Sequence, residues 1–258
     1  MDIKKIAEKL KNVSDTPRLD ARLLLASGGD LEEKIRRRLN HEPVSKIIGK
    51  KGFWKSEFIT SPDVLDPRPD SETMIAAVLE HCPDKNRSYR ILDIGIGSGC
   101  LLFSLLDEYP HATGTGIDIS PAALQIAERN KQGRTATLIQ KDFYQPDWTK
   151  DLTTFDIIIS NPPYIPTQDI NDLSPDVRLF DPLSALDGGN DGLNAYRALS
   201  QSLPNSLNPD ALIFLEIGAG QEQSVTQIFT TAGFTLHHTT PDFGGIPRVL
   251  VFGKSSCG

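Results

Sequence analysis

The chain has 258 residues, 38% of them apolar and 24% charged, enough for one large α/β domain with a small appendage. No window approaches the roughly 18 consecutive apolar residues of a membrane helix, and the amphipathic start MDIKKIAEKLKNV lacks the apolar core of a signal peptide, so a cytoplasmic protein with no membrane partner is expected. The net charge of −7 is uneven: residues 1–55 carry 14 Lys/Arg against 8 Asp/Glu and the remainder 13 against 26, so the body is too acidic to wrap a phosphate backbone, while the basic head could touch nucleic acid or an acidic protein.

In chain order, residues 3–39 read as helical and basic, with Arg36-Arg37-Arg38 as a solvated helix face. FWKSEFITSPDV alternates like a short hairpin, and VLDPRPDSE leads into a helix over TMIAAVLEHC. From about residue 88 strands alternate with helices: YRILDIG, GTGIDIS, TATLIQKD and FDIIIS are the strands, CLLFSLLDEY and PAALQIAERNKQ the helices. The second of these helices has Ser120 as its N-cap and Pro121 at its first position. Four such units predict a doubly wound, mostly parallel sheet. A long loop rich in Asp, Pro and Gly (161–192) precedes the helix GLNAYRALSQSL, the strand ALIFLEIG and the helix QEQSVTQIFTTAG. FTLHHTT and RVLVFGK, separated by PDFGGIP, then suit an antiparallel hairpin that completes seven strands.

This reading divides the chain into a small helical domain (1–45), a β-hairpin linker (46–70) and an α/β domain (71–258). Cys82, Cys100 and Cys257 are widely spaced and read as free thiols in a reducing compartment, and the five histidines show no ligand spacing, so no metal site is expected.

The candidate site begins at ILDIGIGSGC, which puts Gly95, Gly97 and Gly99 between a strand and a helix. Small residues there admit a ligand to the backbone, and the helix N-terminus offers free N–H groups. Asp118 falls at the tip of the next strand, where a carboxylate accepts from both hydroxyls of a ribose. The geometry serves NAD as well as S-adenosylmethionine. The GxGxG spacing and the preceding acid, Asp93, lean toward a ligand bearing an ammonium and a sulfonium. The third strand ends at Asp142 and Phe143, an acceptor for an adenine amine beside a ring that packs on the base.

The fourth strand ends in SNPPYIP. Pro162 and Pro163 have no N–H and hold the residues before them extended, so the chain leaves the sheet as a stiff loop. The Asn161 amide oxygen and the Pro162 carbonyl are then two fixed acceptors for a planar NH₂ group, with Tyr164 against its flat face. Holding both N–H bonds steers the nitrogen lone pair toward an electrophilic methyl and stabilises the charge that develops. Asn161, Pro162 and Tyr164 are the candidate catalytic residues, and Asn161, Pro162, Pro163 and Tyr164 the candidate substrate platform.

These motifs together resemble the HemK/PrmC family of peptide chain release factor glutamine N5-methyltransferases. The resemblance covers nearly all of residues 19–253 and includes EPVSKIIGKKGFWKSEFITSPDVLDPRPDSE, DGGNDGLNAYRAL, LEIGAGQ and GGIPRVLV. It implies a class I S-adenosylmethionine-dependent methyltransferase fold, with the cofactor held by Asp93, Ile94, Gly95, Ile96, Gly97, Asp118, Asp142 and Phe143 together with Asn161. It also implies that residues 161–164 hold the glutamine of a release factor's Gly-Gly-Gln loop, in an enzyme acting as a monomer. Arg68 and Glu72 line the mouth of the site or form an ion pair that anchors the hairpin. Between DARLLLASGGD and RRRLNHEP the sequence is shorter than the family pattern, in the domain with which the family grips its partner. The alternatives are glutamine methylation of a ribosomal protein, amino-methylation of a nucleic acid, and cofactor binding without catalysis. The acidic body, with no target-recognition insert, disfavours the nucleic acid.

Overall fold

The structure, a computed structural model, describes residues 2–255, so Cys257 lies outside the described residues. The basic N-terminal stretch is not one continuous helix. It forms α1 (Ile3–Leu10), α2 (Pro17–Ala26) and α3 (Leu31–Leu39), and a fourth helix, α4 (Val44–Ile48), lies within EPVSKII. The breaks have local causes. Pro17 starts α2, and Gly28 and Gly29 (φ 67° and 70°) follow it in a conformation a helix cannot continue through. The Asp30 side chain then caps α3 by accepting from Glu33 N at 3.1 Å. The four helices bury Ile6, Leu10, Leu24, Ile35 and Val44 in a core of their own.

The antiparallel hairpin β1 (Lys50–Phe53) and β2 (Ser56–Ile59) follows, and α5 (Glu72–His81) leads into the seven-stranded sheet. There the chain runs through β3 (Arg90–Ile94), α6 (Cys100–Glu108), β4 (Thr113–Asp118), α7 (Pro121–Lys131), β5 (Ala136–Gln140) and β6 (Phe155–Ser160). The loop after β6 holds two 3-10 turns, Thr167–Asp172 and Leu183–Ala185, around a short α-helix, α8 (Pro175–Arg178), before α9 (Asn194–Ser202), β7 (Leu207–Glu216), α10 (Glu222–Thr231), β8 (Phe234–Pro241) and β9 (Pro247–Lys254). Among the described residues no helix is long and apolar enough to cross a membrane.

The seven-stranded sheet has the order β5-β4-β3-β6-β7-β9-β8. Strands β3 to β7 are parallel, as the alternation of strand and helix predicts. The closing hairpin contributes a single reversed strand: β9 inserts between β7 and β8, so β8 runs in the same direction as the parallel strands. Both faces are covered. Ile157 and Ile159 of β6 enter one apolar cluster with Ile91, Phe103 and Phe214, while Ile158 enters the other with Leu92, Ile213 and Phe252. Period-2 alternation with apolar residues on both sides produces the unbroken run FDIIIS, and each of these fully buried isoleucines contributes about 1.5–3 kcal/mol.

Chain order turns at β3. The chain steps from β3 outward to β4 and β5, then returns to place β6 on the other side of β3. A crevice opens beyond the carboxyl ends of strands at such a switch point.

Candidate active site

Ile94 of β3 is in register with Ser160 of β6, and Ser160 Oγ donates to Ile94 O at 2.7 Å. The next residues, Gly95 and Asn161, therefore begin their turns side by side at the switch point. Gly95 and Gly97 have φ of 76° and 53°, and a Cβ on either would meet no neighbour closer than 4.0 Å. Their open side faces a cavity of about 480 Å³. Gly99 answers a different need, since a Cβ there would stand 2.2 Å from the Phe103 ring that begins the packing of α6.

The cavity wall brings together Gly95, Ile96, Gly97, Asp118, Asp142, Phe143, Asn161 and Pro163 of the predicted set. Asp118 is held in place by two backbone donors: Gly97 N reaches Oδ2 and Ser120 N reaches Oδ1, each at 2.9 Å. Burial raises its pKa above the ordinary carboxylate range against the pull of these donors. Asp142 accepts from Tyr144 N at 2.9 Å and from Gln145 Nε2 at 3.0 Å, which fixes the turn that aims Phe143. The rings of Phe143 and Tyr144 lie 4.4 Å apart, and both line the cavity.

Asn161 Nδ2 donates to Ser71 Oγ at 3.2 Å. That contact engages one N–H of the amide and leaves Oδ1 as an acceptor on a residue that lines the cavity. Ser71 is 3% exposed and stands at the start of α5. Beside both residues lies the Glu216 carboxyl, 2% exposed at the end of β7. Burial pushes Glu216 up to about 7, although Ser71, Arg248 and Asn161 favour its charged form.

Four predicted residues stand off the wall. Pro162 is buried beneath the loop. Tyr164 packs its ring by Gly218, behind the cavity wall, and Gln221 Nε2 donates to its carbonyl at 3.0 Å. Burial moves its hydroxyl up to about 12. Ile94 and Asp93 lie behind the glycine turn, with Asp93 only 1% exposed. Neither Asp93 oxygen has a hydrogen-bond partner, and desolvation pushes the carboxyl up to about 8. The Leu102 backbone N–H draws it back down without reaching hydrogen-bonding geometry. A direct contact between Asp93 and a cavity occupant is not what this placement offers.

Arg68 and Glu72 separate in role. Glu72 accepts from Trp54 N at 2.8 Å and so anchors the hairpin turn. Arg68 lines the cavity and pairs with Asp181 at 2.5 Å. Sequence reasoning missed Ser71, Ile119, Tyr144, Leu183 and Glu216. Ile119 (53% exposed) directly follows the tip of β4 and Tyr144 (47%) directly follows the predicted Asp142–Phe143 pair, and that adjacency is a signal that could have found them.

The methyltransferase small domain family matches residues 66–174, the span from the segment before α5 to the loop after β6. A release factor glutamine methyltransferase of Rhodospirillum rubrum is 42% identical over 88% of this chain and 70% of its own length. The protein of the same description from Caulobacter vibrioides is 39% identical over 95% of this chain and 92% of its own. Among solved structures, precorrin-6y C5,15-methyltransferase from Geobacter metallireducens aligns with a TM-score of 0.51 at 13% identity, over 77% of this chain and 94% of that one, a likeness of fold alone.

Proposed function

This chain belongs to the release factor glutamine methyltransferase family, and from that premise we propose that it transfers a methyl group from S-adenosylmethionine to the side-chain amide nitrogen (N5) of the glutamine in the Gly-Gly-Gln loop of peptide chain release factors. The observation that carries the reading is the shared cavity: the glycine turn after β3 and Asn161 after β6 line one space at the switch point. The residues present fit the cofactor. A Cβ on Gly95 or Gly97 would fill the cradle, Asp118 retains lone pairs for a ribose, and Phe143 and Tyr144 offer rings to a base.

S-adenosylmethionine supplies an electrophilic methyl on sulfur. The chain supplies the position and polarity of the nucleophile. With its NH₂ group engaged by Ser71, Asn161 offers Oδ1 to one N–H of the glutamine amide, and the Pro162 carbonyl, next in the chain and off the cavity wall, takes the other when substrate is seated. Two acceptors on one NH₂ group fix its orientation, aim the nitrogen lone pair at the methyl and stabilise the positive charge that develops there. The proton leaves after transfer, when the nitrogen is far more acidic, so no strong base is needed.

The test is methyl transfer from labelled S-adenosylmethionine to purified release factor, ribosomal protein and DNA in parallel, with mass-spectrometric mapping of the product. Label on the Gly-Gly-Gln glutamine is expected. Label only on ribosomal protein or DNA would overturn the substrate.

A further inference from the structure

Glu216 is an odd residue to bury. It ends a core strand, its carboxyl is enclosed, and Oε2 has no hydrogen-bond partner. Its neighbours give the placement a meaning. Asn161 Nδ2 spends a proton on Ser71 Oγ at 3.2 Å. Ser160 of β6 is in register with Leu215 of β7, so the residues that follow, Asn161 and Glu216, stand side by side, and the Glu216 carboxyl is the acceptor next to the remaining Ser71 proton. We propose that Glu216 is a positioning residue for the proposed reaction, its ionised carboxylate ending a donor chain Asn161 to Ser71 to Glu216 that keeps the Asn161 carbonyl oxygen facing the cavity.

The direction of this chain is its content. A carboxylate only accepts, so every donor upstream points toward it. A neutral carboxylic acid can donate instead, and the chain can then reverse, with the Glu216 hydroxyl reaching Ser71 and the Ser71 hydroxyl reaching Asn161 Oδ1. Asn161 would then offer its NH₂ group to a substrate that is itself an NH₂ donor, and two donors facing each other hold nothing. The inference rests on the glutamine amide being the substrate.

The carboxyl sits at about 7, which places this reversal within reach of ordinary buffers. The charged and titratable groups around it are Arg248 from β9, Asp70 from the turn before α5, Tyr164 after β6, Tyr196 from α9 and Cys100 from α6. Tyr164 and Cys100 are pushed to about 12, and Tyr196, whose hydroxyl donates to the Glu216 carbonyl at 2.8 Å, lies well above its ordinary value. Asp93, at about 8, is the other nearby group that titrates close to neutrality, so it needs its own control.

The experiment measures kcat against pH for the full chain with a release factor, for wild type, Glu216→Gln, Ser71→Ala and Asp93→Asn, together with S-adenosylmethionine affinity by calorimetry. Wild type and Asp93→Asn are expected to share an activity loss on the acid side of neutrality. Glu216→Gln is expected to lose roughly 10- to 100-fold in kcat and to lack that limb, with cofactor affinity within about twofold, because the defect is one of amide orientation. Ser71→Ala breaks the same chain and reads the proposal if Glu216→Gln does not fold. Either variant keeping both wild-type kcat and the acid limb would overturn it. Absence of glutamine methylation by wild type would instead overturn the substrate reading beneath it.

Discussion

Lys46 of α4 places Nζ 3.2 Å from Asp181 Oδ1 and 3.1 Å from Asp66 Oδ1, with its side chain wholly enclosed. It also donates to Ser61 O at 2.6 Å and Val64 O at 2.5 Å. One ammonium thus ties the N-terminal helices to the segment before α5 and to the loop whose next residues, Pro182 to Ala185, wall the cavity. The two acids settle on opposite sides of the ordinary value. Burial pushes both up, but for Asp66 the Lys46 charge and the Ser45 and Thr60 hydroxyls outweigh it.

Lys46→Met leaves Asp66 and Asp181 buried together with Arg68, and with Lys51 only 3.8 Å away, as their remaining cations. Removing one partner of such a cluster costs about 3–5 kcal/mol. A fall in unfolding free energy of that size is expected by chemical denaturation, with a weaker calorimetric affinity for S-adenosylmethionine because Asp66, Arg68 and residues 182–185 all line the cavity. Wild-type values of both would contradict the link between the N-terminal helices and the site.

Asn161→Ala should leave the fold almost untouched, since it deletes one 3.2 Å hydrogen bond at a half-buried position, worth about 1 kcal/mol. Methyl transfer should fall by about 100- to 1000-fold, the range seen when one polarising contact to a reacting group is removed. Single-turnover kinetics with release factor separates this from weakened binding. A variant within a few fold of wild type would remove Asn161 from the mechanism.

The sequence carries much of the fold and less of the site, for one physical reason. FDIIIS announces β6 at its observed bounds, and Ser120 caps α7 as predicted, accepting from Ala123 N at 3.2 Å, because period and caps are local properties. Ser71 and Asn161 are 90 residues apart, and Lys46 and Asp181 are 135 apart (181 − 46), so no local pattern reports either pairing. Asp93 was expected at the ligand because it precedes the glycines. A central strand covered on both faces instead encloses its side chain behind the turn. Tyr164 is expected on the amide plane; its carbonyl is tied to Gln221, 57 residues away, a pairing that no local pattern reports.

Gly192 is a test of that tie. Its φ is 74°, and a Cβ would fall 2.3 Å from the Tyr164 carbonyl oxygen and 2.8 Å from Gln221 Nε2, the two atoms that bond each other. Gly192→Ala must move the loop that follows Asn161 or adopt a strained backbone, a cost on the order of 1–3 kcal/mol. Lower kcat and a lower unfolding temperature are expected together. Gly95→Ala, at φ 76°, carries the same backbone strain but meets no atom within 4 Å and intrudes on the cavity, so it should weaken cofactor binding with a smaller loss of stability. The same pattern in both variants would show that Gly192 is not a packing glycine.

Asp93 makes stability depend on pH in a direction opposite to that of a salt-bridged acid. Its carboxyl moves from an ordinary 3.8 to about 8 in the folded chain, because desolvation penalises its charge. Below about pH 4 both folded and unfolded chains hold the proton and the group contributes no slope. Between about 4 and 8 the unfolded chain has lost the proton and the folded chain keeps it, so stability falls as pH rises. Above 8 both are ionised and the loss is complete, on the order of several kcal/mol. Glu216, raised from 4.5 to about 7, adds a loss of the same sign over its own window. Asp93→Asn removes the larger of these losses. Denaturation at pH 5, 7 and 9 should find the variant gaining on wild type as pH rises, with the gap levelling off above 8. A gap that stays constant with pH would mean that Asp93 ionises freely in the folded protein and is not sealed behind the glycine turn.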